Sequence, residues 1–289
     1  MPADIALVTA AVARSHDADL APTAAGLDGI GLSTAIVDWD DPTVDWGSFR
    51  LALVRSPWDY TRRLAEYLAW IDRVAAATIL VNEPAVLRWC SDKHYLVELA
   101  ERGGPVIPTT LLHPGDPIVL PEASEFVVKP TVSAGARDTE RHTHEGRAGA
   151  IDHIGRLHAA GRDVVVQPYL AGVERRGETA VICFDGEPSH AIRKGPILVE
   201  GVREVVDDLY AVEDITARTA TADELAVARR VLDLLPFDAP PTYARIDLIE
   251  DDAGRPLVLE VEANEPSLFL AEDPGSSARL AAAVARRLG

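Results

Sequence analysis

Three acidic side chains near the end of the sequence have the spacing of a metal-binding site. Glu260 and Glu262 lie two residues apart in the apolar segment 256–263, so they point to the same side of a predicted strand. A turn at residues 251–254 predicts a hairpin that places Asp247 beside them. Converging carboxylates repel one another unless a cation lies between them, and hard oxygen ligands suit magnesium. The alternative is a sheet edge whose acids point into solvent.

A lysine and a loop of small residues form the second chemical feature. An apolar strand at residues 126–128 leads into Lys129, and the loop that follows contains Ser133, Ala134 and Gly135. Small residues let backbone N–H groups approach phosphate oxygens, and the lysine supplies the opposite charge. The phosphate-binding and dinucleotide-binding glycine motifs are absent from this segment. Taken alone, the segment is also compatible with a surface turn after an edge strand.

The third feature is the segment Gln-Pro-Tyr-Leu at residues 167–170, where a predicted strand ends at a proline. Glu178 follows eight residues later. A hinge between two lobes can offer backbone groups to a purine edge, and an acid next to it can bind ribose hydroxyls. The alternative is an ordinary strand end.

Composition limits the classes of function that these residues can serve. The chain has 289 residues, of which 47% are hydrophobic and 26% are charged, as expected for a soluble globular protein of two or three lobes. Its formal net charge of −18 argues against a nucleic-acid or membrane-surface partner. We expect a cytoplasmic location, because the sequence shows neither a signal peptide nor a long apolar segment. Cys90 and Cys183 are expected to be buried free thiols.

The elements that must position these residues follow from short apolar strands and helical segments. An N-terminal parallel α/β lobe is predicted from strands at 4–10, 33–38, 51–55 and 79–82 and a helix over 61–76. A helix from Asp92 to about Arg102 begins the next part. The later predicted strands cover 126–128, 164–167, 179–184, 189–193, 242–250 and 256–263. Further helices are predicted over 148–160, 222–235 and 277–288. The whole is an α/β fold.

The order of these features resembles the ATP-grasp ligases over about residues 85–270. The resemblance implies an ATP-grasp fold, in which an N-terminal parallel α/β lobe precedes two α+β subdomains that clasp ATP. The expected domains are 1–90, 91–170, which carries the phosphate loop and a lid, and 171–289, which carries the metal site. His142 and His144 fall in the expected lid and are assigned no role.

The same resemblance assigns ligands to individual residues. ATP would contact Lys93, Lys129, Ser133, Ala134, Gly135, Gln167, Tyr169, Leu170 and Glu178, and magnesium would bind Asp247, Glu260 and Glu262. Lys129, Arg193 and Arg245 would neutralise charge during phosphoryl transfer. Glutathione synthetases of this superfamily have Asn where this chain has Glu262. The spacing from hinge to acid is one residue longer here, so Glu174 is a second candidate for the ribose contact.

Three longer motifs are similar to one branch of the superfamily, which contains the cyclo-ligase of cycloserine biosynthesis, an enzyme that closes a ring on O-ureidoserine. They are Arg-Ser-Pro-Trp-Asp-Tyr at 55–60, Val-Ser-Ala-Gly at 132–135 and Glu-Pro-Ser-Leu-Phe-Leu at 265–270. The implied substrate contacts are Arg55, Ser56, Trp58 and Tyr60. A helix N-terminus explains the first motif equally well, with Asp59 as its cap and Trp58 as a core anchor.

The function implied by the resemblance is ATP-dependent, ADP-forming ligation of a small amino-acid-like carboxylate through an acyl phosphate. The nucleophile would be an amine or another group of the same molecule, which would give ring closure. A homodimer is compatible with the family. Three alternatives remain: a dinucleotide-dependent enzyme, a nucleotide-binding protein without catalysis, and a small-molecule kinase.

Overall fold

A fully parallel sheet forms the N-terminal part of the chain in the computed structural model, which describes residues 3–196, 198 and 214–289. Its strands are β1 (Ile5–Thr9), β2 (Thr34–Asp38), β3 (Leu51–Ser56) and β4 (Ile79–Val81), in the spatial order β2-β1-β3-β4. Every residue of β1 and β3 is buried, as expected for the central strands of a parallel sheet covered on both faces. The helices of this part are α1 (Leu20–Asp28), α2 (Leu64–Ala75) and α3 (Pro84–Cys90).

An antiparallel sheet follows after α4 (Tyr95–Glu101). Its strands are β5 (Thr110–Leu112), β6 (Glu125–Pro130), β7 (Glu140–Thr143) and β8 (Val164–Pro168), in the order β5-β8-β6-β7. Helix α5 (Arg147–Ala159) covers one face by burying Ala150, Ile154 and Leu157 against the strands. This packing fixes the end of β6, where Lys129 lies.

The third sheet has five antiparallel strands. They are β9 (Glu178–Phe184), β10 (Glu187–Lys194), β11 (Ile215–Arg218), β12 (Tyr243–Glu250) and β13 (Pro256–Glu262), in the order β11-β10-β9-β12-β13. The helices of this part are α6 (Gly172–Arg176), α7 (Ala222–Leu234) and α8 (Ser276–Ala285). Helix α7 begins at a capping box formed by Thr221 and Glu224, and it packs on the face of β9 that carries Val181. Helix α8 packs on the opposite face, against Ile182.

The N-terminal sheet and the third sheet share one hydrophobic core. Leu7 and Leu53 of the first sheet belong to the same buried cluster as Ile182 and Leu280. Asn82, which is 1% exposed, adds polar contacts across this junction. Its Nδ2 donates to the carbonyls of Tyr243 (2.9 Å) and Ala263 (2.7 Å), and its Oδ1 accepts from the Thr242 amide (2.7 Å). The two sheets are therefore held at a fixed distance.

The expected α/β class is confirmed. The three sheets occupy residues 5–81, 110–168 and 178–262, and the division into domains at residues 90 and 170 stays a prediction. In the described ranges, every helix falls short of the length and apolar character that a membrane crossing requires.

Replacing Asn82 tests the junction between the sheets. We expect Asn82→Asp to lower the free energy of unfolding by about 3 kcal/mol or more, because two buried carbonyls lose their donor and face a carboxylate oxygen instead. Urea denaturation measures the change. The matched control is Glu83→Gln, the reverse acid-to-amide exchange at the exposed neighbouring position, which should change stability by less than about 0.5 kcal/mol. Equal stabilities for the two variants would contradict the proposed role of Asn82.

Candidate active site

A cavity of about 500 Å³ lies between the three sheets. The N-terminal part contributes Trp58 and Tyr60 to its lining, β6 contributes Lys129, and the third sheet contributes most of the charged groups. Residues far apart in sequence therefore meet in one cavity of the size typical of small-molecule sites.

The acid trio (Asp247, Glu260 and Glu262) lines this cavity from the hairpin of β12 and β13. Asp247 pairs directly with Glu260 across the two strands, and Arg245 pairs with Glu262. The register shifts immediately after Asp247, so that Leu259 is an extra residue on β13. This bulge re-aims the strand next to the acids, as bulges beside functional sites commonly do.

Two lysines from the second sheet and its preceding segment reach the trio. Lys129 Nζ lies 2.6 Å from Glu260 Oε1, and Lys93 Nζ lies 3.8 Å from the same oxygen. Lys93 also donates to the Ser133 carbonyl at 2.8 Å, which ties the small-residue loop (residues 131–136) to the lysine pair. Both lysines are at least nine-tenths buried.

Two further cations come from the third sheet itself. Lys194 Nζ lies 2.7 Å from Asp247 Oδ2 and 2.9 Å from Glu178 Oε2. The Arg245 guanidinium donates from Nε (2.8 Å) and Nη2 (2.9 Å) to the two oxygens of Asp247 and also contacts Glu262. Asp247 thus accepts a bidentate arginine and a lysine, which is the strong geometry for a charge-assisted pair.

Burial and charge divide the acids into two kinds. Burial alone would raise the pKa of Glu260, but Lys129 and Lys93 lower it to about 2. Arg245 and Lys194 likewise overcome burial at Asp247 and hold its pKa well below the usual range. Burial, helped by Asp247 and Glu260, instead raises the pKa of Glu262 to about 7, against the opposing effect of Arg245.

Carboxylates outnumber cations in the lining. Among the described residues, seven carboxylates line the cavity against four lysines and arginines. The acids are Asp19, Glu178, Asp247, Glu260, Glu262, Glu265 and Glu272, and the cations are Lys93, Lys129, Lys194 and Arg245. A polyphosphate that took these cations would leave Asp247 and Glu260 unpaired unless a divalent cation entered with it.

The donors of the acid trio fit magnesium in type, since carboxylate oxygens are its usual protein ligands. Their present arrangement is not a finished metal cluster. Only two groups of the described residues have three ligand atoms within 4.8 Å of one another, and the trio is not one of them. The contacts with Lys129, Lys194 and Arg245 explain this, because each acid is already paired with a cation.

The hinge (residues 167–170) and the small-residue loop line the same cavity, including Ser133, Ala134, Gly135 and Gln167. The Tyr169 amide donates to the Glu125 carbonyl at 2.9 Å. The Arg141 guanidinium carbon lies 3.6 Å from the centroid of the Tyr169 ring. The Leu170 amide has no backbone partner among the described residues. Of the two predicted hinge amides, that of Leu170 is the one left to meet a purine edge.

The structure separates the two candidates for the ribose contact. Glu178 lines the cavity beside Lys194. Glu174 lies outside it and accepts hydrogen bonds from Arg141 (2.7 Å) and the Tyr169 hydroxyl (3.1 Å). Glu178 is therefore the better placed acid.

Arg193, predicted to meet phosphate, is not brought into the cavity. It alternates with Lys194 on β10, and neighbouring residues of a strand point to opposite faces. Its guanidinium donates to the Arg176 carbonyl at 2.9 Å and pairs with Asp214 at 3.3 Å. Lys194, the next residue of β10, instead lines the cavity and contacts two of its acids.

The predicted substrate residues also divide into two groups. Trp58 and Tyr60 line the cavity, and both contact Glu265. The Trp58 indole donates to the Glu265 carbonyl at 3.0 Å, and the Tyr60 hydroxyl hydrogen-bonds to the Glu265 carboxylate. Arg55 is 1% exposed and does not line the cavity, because its guanidinium donates to the Pro266 carbonyl at 3.0 Å. Ser56 is fully buried and pairs with the Thr9 hydroxyl at 2.8 Å.

A loop that follows β13 carries the motif at residues 265–270 and supplies cavity residues that were assigned no role from the sequence. Asp19 accepts hydrogen bonds from three consecutive backbone amides of this loop, at residues 268–270, with distances of 2.6 to 3.1 Å. Phe269, one of the three, has a φ of 50° and lines the cavity. Glu265 enters from the start of the same loop, and burial and Glu262 raise its pKa to about 8.

Cys90 also lines the cavity, whereas Cys183 is buried, and both thiols are free.

Comparison with known proteins gives consistent results over the whole chain. Residues 5–82 match the family described as "D-cycloserine synthetase DcsG, N-terminal domain". The cycloserine biosynthesis protein DcsG of Streptomyces lavendulae is 40% identical, with 98% of each chain covered. The crystal structure of D-cycloserine synthetase DcsG superposes with a TM-score of 0.90 at 39% identity over 99% of each chain. A structure of the ATP-grasp ligase PsnB with a minimal precursor variant, Mg and ADP shares the fold, with a TM-score of 0.64 at 19% identity over 100% of each chain.

These similarities and the cavity define the class of protein, which is an ATP-dependent ligase with the ATP-grasp fold. Within this class, the chain belongs to the family of the cycloserine biosynthesis protein DcsG. The predicted superfamily and its narrower branch are thereby confirmed.

The adjacent residues Lys194 and Arg193 provide a matched test of the site. We expect Lys194→Met to weaken ATP binding in the presence of magnesium by about tenfold or more, because a charged hydrogen-bond donor is lost and two carboxylates of the cavity lose a cationic partner. Arg193→Met should change the affinity by less than about threefold, within the range of a surface substitution. Isothermal titration calorimetry measures both, with circular dichroism to check folding. A larger loss of ATP affinity in Arg193→Met than in Lys194→Met would support the sequence-based prediction that Arg193 contacts phosphate.

Proposed function

We propose that the protein is an ADP-forming ligase that activates a small amino-acid-like carboxylate as an acyl phosphate and then closes a ring within the same molecule. The observation that carries this proposal is the convergence of Lys93, Lys129, Lys194 and Arg245 on the acid trio in one cavity. Such a site suits transfer of a phosphoryl group, in which positioning and charge neutralisation supply most of the catalysis.

ATP would lie between the hinge and the acid trio. The Leu170 amide would meet the purine edge and Glu178 the ribose, because both line the cavity. Lys93 already contacts the small-residue loop through Ser133, so these groups would hold phosphate oxygens together. Lys129 and Lys194 would exchange their carboxylate partners for phosphate oxygens.

Magnesium would be held by Asp247, Glu260 and Glu262, whose hard oxygen donors fit it. When bound, it supplies positive charge to the transferring phosphate and lets the carboxylates share the space with a polyphosphate. The PsnB structure contains Mg and ADP, which supports this assignment by analogy of fold.

The substrate end would lie beside the N-terminal part of the chain. Trp58 and Phe269 form apolar walls there, while Arg245 lies 5.7 Å from the Phe269 ring and donates to the Ser267 carbonyl. Arg245 would bind the reacting carboxylate, and Glu265 would face the amino group of a zwitterion. The mixture of one cation with several acids favours an amino-acid-like substrate over a simple organic acid.

Ring closure follows from the chemistry of the activated carboxylate. The substrate carboxylate attacks the γ-phosphorus, so ADP leaves and an acyl phosphate forms. A nucleophile of the same molecule then attacks the carbonyl carbon, the bond to the phosphate oxygen breaks, and phosphate leaves while the nucleophile loses its proton. Support for an internal nucleophile is the similarity to D-cycloserine synthetase over nearly the full chain.

The first experiment measures ADP release with magnesium and ATP across amino acids, dipeptides and O-ureidoserine, with hydroxylamine added to trap acyl phosphates. We expect ADP, phosphate and a hydroxamate with one small amino-acid-like substrate, and a cyclic product when hydroxylamine is omitted. AMP release would contradict the mechanism. A stable phosphorylated product would identify a kinase, and tight ATP binding without turnover on any substrate would identify a nucleotide-binding protein without catalysis.

Substitution of two paired residues tests the catalytic assignment. Lys129→Ala and Glu260→Ala should each reduce kcat by at least about 100-fold, because each removes charge stabilisation of the phosphoryl group or its metal. Thermal melting and circular dichroism should show a folded protein. Glu187→Ala, at an exposed position of β10, is the control and should keep normal activity. Near-normal activity of either cavity variant would remove that residue from the site.

A cytoplasmic location and a homodimer stay predictions, as does the absence of nucleic-acid and membrane partners.

A further inference from the structure

A second cluster of chemically active side chains lies outside the ATP cavity. Asp163 Oδ2 is 3.1 Å from His113 Nδ1 and 3.3 Å from His94 Nε2, and all three ligand atoms lie within 4.8 Å of one another. His94 lies just before α4, His113 just after β5, and Asp163 just before β8. None of the three lines the cavity.

The spacing of these atoms matches a tetrahedral metal ion. Zinc binds imidazole nitrogen and carboxylate oxygen at about 2.0 to 2.2 Å, which places neighbouring tetrahedral ligand atoms about 3.3 Å apart. The two distances to Asp163 are close to this value. His94 and Asp163 are partly exposed and His113 is exposed, so solvent can reach a fourth position.

The orientation of His94 is a second, independent observation. Its Nδ1 is in short contact with Asp92 Oδ1, which also accepts the His94 amide at 3.1 Å. With Nδ1 held by Asp92, the ring directs Nε2 towards Asp163 Oδ2 at 3.3 Å, which is the position from which both atoms could bind one metal ion. A carboxylate behind a histidine in this way is the usual support of a metal-binding imidazole.

We propose that His94, His113 and Asp163 bind one divalent transition-metal ion of the zinc class, with Asp92 orienting His94. Two imidazoles and one carboxylate form a donor set that prefers zinc over magnesium. The ion would bridge three separate segments of the chain and act as a cross-link.

The cross-link would act close to the phosphate-binding groups. Lys93 directly precedes His94, and its amide donates to the Thr131 carbonyl at 2.9 Å. The Thr131 amide in turn donates to the Asp163 carbonyl at 3.0 Å. Metal binding would therefore fix the backbone on both sides of the small-residue loop without entering the cavity.

Another group, Glu140, His142 and His153, has ligand atoms at similar separations, but hydrogen bonding explains it. The two imidazoles contact each other at 3.3 Å, and burial lowers the pKa of His153 to about 4, so it is neutral and can share a proton with His142. Glu140 is already paired with Arg156 at 2.9 Å, which opposes a metal ion there.

Metal titration of the full chain tests the proposal. The protein is stripped with a chelator and titrated with Zn²⁺ and with Co²⁺ in excess Mg²⁺, which competes for any binding at the carboxylates of the cavity. We expect one tightly bound equivalent and visible Co²⁺ absorption of tetrahedral intensity. His113→Ala should weaken Zn²⁺ binding by more than about 100-fold and Asp92→Asn by about 10- to 100-fold. His144→Ala, an exposed histidine outside both groups, is the matched control and should leave the affinity unchanged.

Two results would overturn the proposal. They are an absence of tight Zn²⁺ binding and binding that survives His113→Ala, and loss of that surviving binding in His153→Ala would assign the ion to the other group. In the first case hydrogen bonds and ion pairs alone hold His94 and His113 against Asp163. Since His113 is exposed, its replacement should leave the thermal melting of the metal-free protein unchanged, which separates loss of metal from loss of fold.

Discussion

The pairing of buried acids with cations in one cavity is the constraint on which the rest of the structure depends. Buried carboxylates are costly unless they are paired, and Asp247 and Glu260 meet this condition through Lys129, Lys194 and Arg245. ATP needs these same cations for its phosphates. Binding therefore requires an exchange, in which phosphate oxygens take the cations and a divalent metal takes the acids.

The scaffold brings these opposite charges together from elements that are far apart in the sequence. The hairpin of β12 and β13 carries the acids, while the end of β6 and the segment before α4 carry Lys129 and Lys93. The N-terminal part holds the loop after β13 in place through Asp19 and Arg55, which bind its backbone. Asp19 and Arg55 therefore act by holding the backbone of this loop in position.

The sequence predicted those parts of the site that depend on local pattern. Alternation along β13 placed Glu260 and Glu262 on one face, and the hinge and small-residue loop were recognisable by order and spacing. The face of β10 was not predictable, because a register irregularity between Pro188 and His190 decides whether Arg193 or Lys194 turns inward. The role of Arg55 depends on a partner 211 positions away.

For the fold too, the elements with a clear local pattern were predicted and those that depend on tertiary contacts were missed. Apolar strands such as β1, β3 and β12 were found, whereas α1 was missed because its helix contains Pro22 and Gly26 and buries few apolar residues. Gly26 is required by packing, since a Cβ there would lie 2.6 Å from the Ser277 carbonyl of α8. Strand β7 was missed because its sequence, Glu-Arg-His-Thr, has no apolar pattern and only its pairing with β6 makes it a strand.

The measurement that tests the exchange of charges most directly is the affinity for ATP with magnesium and with magnesium removed by a chelator, compared by calorimetry on the unmodified protein. When the phosphates take the cations, the acids of the cavity need a metal ion as a new partner. ATP should therefore bind at least about tenfold more tightly with magnesium than without it. Equal affinity under the two conditions would contradict the account, because the cations would then bind the polyphosphate without a metal ion neutralising the acids.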